Sequence, residues 1–463
     1  MLQIWETHSL FIFSFDYEAN MKKYIQFTAG ILFLIIAVVF INQIMQYVLV
    51  DDADDEIRYY MNELYKQDNI ETLFLGSSHV FCGYNPEVLE EYYGENVYLA
   101  ATPVQKIDAS YYLLKEALKT NPIKTVYIDM YYRQFRDVPA ERTDEQMKYI
   151  WCISDNMKQS WNRGEFLLNA SSSDRYINGF LPASRYGNYL LDLPRFERVI
   201  KSKRTAEYRE VKCPEGIENS FYKGALIDLN GSSGVPMIGK IGRYDIAKIG
   251  NNIMSDYSLK YLNKMVKLCR DNNIELVLVT TPFTYYHIQA MEDYMTYYEF
   301  VSDYARQNGL EYYDFNLCKE SVLPLKEDMF VDIHHLSGKG ATFYSDVFGN
   351  MMINQDAEQR SRNFYNTVDE KMRSLPQQIF GIVLEENENN PGQYEIRAVA
   401  NYNVDAEYRI TIVDENGEEL RVIQEYSGQD ILSLGEAEEK TYKIEVREKG
   451  QSIPAREGTI TLS

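Results

Sequence analysis

Leu73-Phe74-Leu75-Gly76-Ser77-Ser78-His79 is the stretch that decides the fold. Its apolar half suits a strand buried on both faces, and the glycine lets the backbone turn tightly at its end. A helical segment starts near Pro86. A serine at the carboxyl end of a parallel strand is exposed on the face where such sheets hold ligands, and the amides after the turn can face an oxyanion. By itself the stretch equally fits a polar loop capping a helix.

Outward from it, short apolar runs at 72–75, 97–100, 125–130, 274–280 and 310–315 read as strands. Segments 109–119, 258–271 and 291–307 carry apolar residues at helical spacing. Strand and helix in alternation predict an α/β unit over 57–355, its parallel sheet covered on both faces. Residues 131–255 break the rhythm with polar, Gly and Pro positions. They read as a long insertion on the rim of the sheet, where loops carry function. After a linker over 356–376 the period changes to two. Tyr394-Ile396-Ala398, Tyr408-Ile410-Ile412 and Tyr442-Ile444-Val446 alternate with polar partners, and Asn390-Pro391-Gly392 and Glu415-Asn416-Gly417 mark turns. Residues 377–463 therefore predict a small all-β sandwich of the Ig-like or fibronectin-like kind. It has no His or Cys, and it reads as a spacer before it reads as a glycan- or protein-binding module.

The second chemical block is Asp332-Ile333-His334-His335-Leu336-Ser337-Gly338. Asp and His at this spacing can set a carboxylate against one imidazole nitrogen and free the other as a base, which is what an activated serine needs. Ser337 can cap a helix starting at Gly338. The same Asp/His/His group has metal-ligand chemistry, but no third partner from a fixed motif accompanies it, so no metal and no cofactor are expected.

Together the two blocks resemble those of the SGNH (GDSL-like) hydrolase family, over roughly residues 65–355. The resemblance implies a flavodoxin-like three-layer α/β fold. It makes Ser78 the nucleophile, in Gly76-Ser77-Ser78, with Asp332 the orienter and His335 the general base. That family's middle blocks supply a Gly and an Asn to the oxyanion hole; here those stretches read Ala100-Ala101-Thr102-Pro103 and Asp129-Met130-Tyr131-Tyr132. The Ser78 amide, with Thr102, Gln105 or Tyr131, is then the candidate replacement at the substrate. The departures, with the N-terminal anchor described next, are similar to the membrane-anchored branch that works beside membrane-bound O-acyltransferases, such as the D-alanine transfer protein of teichoic acid synthesis and the alginate acetylation proteins. The resemblance implies an acyl-Ser78 intermediate on cell-envelope polysaccharide and a membrane O-acyltransferase as partner. Whether water or a glycan hydroxyl accepts the acyl group stays open, as does a catalytically weak glycan- or partner-binding subunit.

From Tyr24 to Val50 no residue is charged, and 29–41 is an unbroken apolar run. About 20 such residues cross a bilayer as a helix. A transmembrane anchor over 24–50 is expected, with a cleaved signal peptide as the competing reading. Lys22 and Lys23 precede it and Asp51, Asp52, Asp54, Asp55 and Glu56 follow, which predicts a cytoplasmic 1–23 and an outward-facing remainder. Met21-Lys22-Lys23 makes a more natural start than Met1. A net charge of −22 argues against polyanion binding, so no nucleic-acid partner is expected. Five Cys at 82, 152, 213, 269 and 318 contain no CxxC pair. Cys82, four residues after Ser78, reads as a packed small residue and His79 has no assigned role. The 39 Tyr can stack on sugars, Tyr131 and Tyr132 first among them, although such Tyr more often pack half-buried.

Overall fold

The computed structural model describes residues 3–53, 55–136, 138–214, 221–227, 238–240, 253–291, 293–387, 389–433 and 440–462, with backbone alone at 3–20 and 238–240. Five strands, β1 (Ile70–Gly76), β2 (Asn96–Ala101), β3 (Thr125–Asp129), β4 (Glu275–Thr280) and β5 (Glu311–Asp314), form one parallel sheet in the order β2-β1-β3-β4-β5. This 2-1-3-4-5 order is a doubly wound one. Alternation along each strand sorts side chains into two cores. Leu73, Leu75, Val126, Ile128, Leu276 and Leu278 face the core that takes in Tyr112 and Leu113 of helix Ile107–Ala117 and Tyr261 and Leu262 of helix Asp256–Asp271. Phe74, Leu99, Tyr127, Val277 and Val279 face the other, with Leu89 of helix Pro86–Tyr93 and Tyr344 and Phe348 of helix Gly338–Asn354. The register puts Gly76 beside Ala101, Asp129 beside Val279 and Thr280 beside Asp314, so the carboxyl ends of these strands share one edge.

The segment after β3 departs from the expected loop-rich rim. Its described part is largely helical, with helices Asp144–Asn156, Trp161–Ala170 and Leu193–Lys203. The polar and Pro residues that broke the pattern sit at helix starts. Thr143 and Gln146 form a capping box, Ser160 caps the second helix, and Asp192 with Pro194 opens the third. Residues 137, 215–220, 228–237 and 241–252 of the expected insertion lie outside the described residues.

The N-terminal helix Gln3–Leu49 contains a stretch, Met21–Leu49, long and apolar enough to cross a membrane. Its exposed apolar side chains run from Met21 to Tyr47, while Leu49 and Val50 are buried against the rest of the chain.

After Pro376 come β6 (Ile379–Glu386), β7 (Gln393–Ala400), β8 (Ala406–Val413), β9 (Glu419–Ser427), β10 (Ile431–Ser433), β11 (Lys440–Glu448) and β12 (Arg456–Leu462). They form two sheets, β10-β7-β6 and β9-β8-β11-β12, over a core that includes Ile382, Tyr394, Ile410 and Ile444. One feature was not visible in the sequence. The strand Ile238–Lys240 from the insertion joins the first sheet parallel to β6, Ile238 opposite Ile382 and Lys240 opposite Leu384. The module also grips the α/β unit directly. Tyr286 Oη donates to the Ile382 carbonyl at 3.0 Å, and Phe380 and Val383 belong to the main α/β core.

Candidate active site

β1 ends at Gly76, and the single helical turn Ser78–Phe81 starts two residues later. A Cβ on Gly76 would stand 2.5 Å from Val80 Cγ2 and 2.9 Å from Asp129 Cβ, so only glycine lets this turn fold back over the end of β3. The turn leaves Ser78 half-buried at the edge of the sheet.

The partner loop descends from Met329 to the start of helix Gly338–Asn354. Ser337 caps that helix by accepting from the Gly340 amide. A Cβ on Gly340 would lie 2.0 Å from the Met329 carbonyl oxygen, so the loop rests directly on the helix backbone. Thr284, just past β4, donates its hydroxyl to the Ile333 carbonyl at 2.7 Å and pins the loop from the other side.

These two anchored segments bring together Ser78, His335 and Asp332. His335 Nε2 lies 2.7 Å from Ser78 Oγ, and His335 Nδ1 lies 2.8 Å from Asp332 Oδ2. Asp332 Oδ1 accepts the amide N–H groups of His334 and His335, both at 2.8 Å. A carboxylate only accepts, so the imidazole proton sits on Nδ1 and the Nε2 lone pair faces the Ser78 hydroxyl. Burial works to raise the Asp332 carboxyl, but the hydrogen bond from His335, the charges of His334 and His335 and the His334 amide outweigh it. They hold Asp332 well below the usual carboxylate range. The arrangement can therefore move a proton from a serine hydroxyl to an imidazole oriented by an ionised acid.

Thr102, Gln105 and Tyr131 are placed differently. Thr102 and Gln105 are buried; Thr102 Oγ1 donates to Gln105 Oε1, and Gln105 Nε2 donates to the Ala100 carbonyl and to Ser110 Oγ. Their side chains thus tie the loop after β2 together. Tyr131 and Tyr132 are buried too, Tyr131 with its ring 3.8 Å from the His79 ring and Tyr132 packed near Tyr297. Cys82 is held at about 12 by burial, with a smaller push from Asp332, so it stays a thiol at neutral pH. Asp314 accepts from the Asn316 amide and from Tyr294 Oη, a structural turn.

Several residues of the site left no signal in the sequence. Asp129, at the end of β3, accepts from the amide and hydroxyl of Thr281 and from Gln134 Nε2, and Gln134 reaches Ser77 Oγ at 3.5 Å. Burial pushes Asp129 up to about 7. His79 supplies the third imidazole that the spacing of the Asp/His/His block does not reveal. Its ring centroid lies 4.9 Å from that of His335 and 5.4 Å from that of His334, and His287 lies 5.6 Å from His334. Burial, then mutual repulsion, keeps His79 well below the ordinary histidine range, His287 at about 3 and His334 at about 4, all neutral near pH 7. Only three-dimensional proximity joins residues 79, 287 and 334.

A family model without a descriptive name matches residues 238–357. No curated protein matches the chain. Among solved structures, the chain is similar to a candidate acylhydrolase from Bacteroides fragilis at 10% identity and a TM-score of 0.30, over 64% of this chain and 94% of that one.

Proposed function

We propose that the chain is a membrane-anchored, SGNH-like serine esterase or O-acyltransferase acting on acyl esters, acetyl foremost, of cell-envelope polysaccharide. The observation that carries the reading is the continuous Ser78–His335–Asp332 relay at the carboxyl edge of a parallel sheet. Ser78 Oγ attacks the ester carbonyl while its proton passes to His335 Nε2. The tetrahedral intermediate collapses as His335 returns that proton to the leaving alkoxide, which leaves acyl-Ser78. Water or a sugar hydroxyl, deprotonated by His335, then takes the acyl group and frees Ser78. The Ser78 amide is the first candidate to stabilise the oxyanion. Lys22 and Lys23 on one side of the apolar helix and Asp51 and Asp52 on the other support an outward-facing catalytic unit, where envelope glycan and a membrane O-acyltransferase partner are reached.

The test is intact mass of the full chain in detergent after exposure to an activated acetyl ester, beside Ser78→Ala. One acetyl adduct on Ser78, absent from the variant, is expected. Quick loss to water marks an esterase, and loss only on adding glycan marks a transferase. No adduct and no ester turnover would overturn the reading. A second reading, a binding subunit with weak or no catalysis, is favoured by one observation: the side chains of Thr102 and Gln105 are consumed in the loop where the family places an oxyanion donor. Acyl-Ser78 formation at an ordinary enzymatic rate would sink it.

A further inference from the structure

We propose that His79, His334 and His335 form a site for one divalent transition-metal ion, zinc above all, and that metal bound there takes His335 from Ser78. The site stands on the histidines alone; its effect on activity rests on the serine chemistry proposed above. Each of the three residues offers a nitrogen, and these atoms lie within 4.8 Å of one another. A neutral imidazole carries one donor and one acceptor and needs a partner for each when buried. His79 is 1% exposed, yet among the described residues neither of its ring nitrogens has a hydrogen-bond partner, and His334 Nδ1 is buried with only the Asp332 carboxylate beside it, 3.6 Å from Oδ1. Orphaned His79 nitrogens clustered with the imidazoles of a second segment are what a cation satisfies. Asp332 on His335 Nδ1 is the carboxylate–histidine pairing that orients a metal-binding imidazole and leaves Nε2 to the ion. Three imidazoles with a fourth position open is a zinc arrangement, at Zn–N distances of about 2.0–2.1 Å once the rings close on the ion. The ion and the Ser78 hydroxyl then compete for the same lone pair.

The full chain in detergent, stripped with a chelator, would be titrated with Zn²⁺ and with Co²⁺. One equivalent is expected, with the visible bands of four-coordinate Co²⁺, and with unchanged stoichiometry in Ser78→Ala. His79→Gln should weaken binding by more than the ~10–100-fold that loss of a merely supporting partner costs. His334→Gln, at a partly exposed position, should do the same if the buried change impairs folding. Zinc should also slow ester turnover reversibly, and His79→Gln should lose that sensitivity. Absence of stoichiometric binding, or binding indifferent to both histidine changes, overturns the site. Zinc that binds without slowing turnover overturns the competition with Ser78. If the untreated chain turns over no ester, the serine reading fails and the metal titration still decides the site.

A second inference comes from another surface. Ile177, Phe180, Tyr189, Leu190, Leu191 and Leu193 are exposed, Leu191 at 93%. The segment that carries them lies against the apolar N-terminal helix: the Ala183 amide donates to Asn42 Oδ1, Arg195 to the Leu49 carbonyl and Lys203 to the Gln46 carbonyl. Counted from Tyr24, the first residue after Lys22 and Lys23, about 20 helical residues at ~1.5 Å each cover the ~30 Å hydrocarbon core of a bilayer and end at about Gln43. Asn42 therefore marks the interface, and the apolar segment docked there stands at the same depth. We infer that residues 177–193 are seated in the lipid leaflet around the helix exit, with Arg195 and Arg198 at the headgroups. Leu191→Trp and Leu420→Trp chains would be reconstituted in phosphatidylcholine/phosphatidylglycerol vesicles with brominated acyl chains. The tryptophan added at 191 should be quenched, and the one added at 420, exposed on a strand of the C-terminal module, should not. No more quenching at 191 than at 420 overturns the inference.

Discussion

Asp332 does two jobs with two oxygens, one on the His335 imidazole and one on the loop amides. An amide in its place can keep the loop yet offer Nδ1 a donor where it needs an acceptor. Asp332→Asn should therefore leave the melting temperature near that of the parent while lowering ester turnover on the order of 10³–10⁴-fold, measured as kcat on an activated acetyl ester. Asp129 gives a different prediction, on stability. Its folded value of about 7 stands above the ordinary 3.8, so its contribution is fully present below pH ~4 and is lost as pH rises through 7. Denaturant unfolding of the full chain should weaken across that window by up to ~4 kcal/mol from this group. Asp129→Asn should flatten that part of the profile, and an unchanged slope would contradict the assignment. At this scale the order and spacing of two short blocks point to Ser78, Asp332 and His335, which the fold brings within hydrogen-bond reach of one another. The sequence was silent on His79, Gln134 and Asp129, whose partners lie far along the chain and leave no periodic trace.

Elements were legible where the period of the pattern matched the burial. The run at 72–75 became Ile70–Gly76, the one at 274–280 became Glu275–Thr280, and the helical spacing at 258–271 became Asp256–Asp271. The insertion was not, because its Pro and capping residues resemble loop composition until their position in the first turn is known. Nor can three residues at 238–240 announce a strand, since their partner β6 is supplied from beyond the α/β unit. Gly76 is a tight joint between elements, with Val80 and Asp129 both inside the reach of an added Cβ. Gly76→Ala should cost about 1–3 kcal/mol of stability through overpacking against Val80 and Asp129. It should also depress activity by displacing Ser78 from His335, as read by a melt and an ester assay on one preparation.

At the scale of the molecule, the two C-terminal sheets are bound into the α/β unit by the shared strand, by Tyr286 on β6 and by Arg456, which pairs with Glu327. Phe380 is a wedge of the module placed in the main core. A chain truncated after residue 376 should lose these partners and melt lower than the parent. Apart from the N-terminal apolar helix, the intact chain should unfold in one calorimetric transition; two resolved transitions would show the module to be independent.

The borrowed strand also sets a timetable. Residues 238–240 leave the ribosome about 140 residues ahead of the β6 segment they pair with. At ~5–20 residues per second, that edge waits roughly 7–30 s for its neighbour. An open backbone edge pairs with whatever strand it meets, so crowded nascent chains risk swapping this segment between copies. Slowing synthesis across residues 240–380 should raise the yield of misassembled dimers more than slowing it anywhere else in the chain.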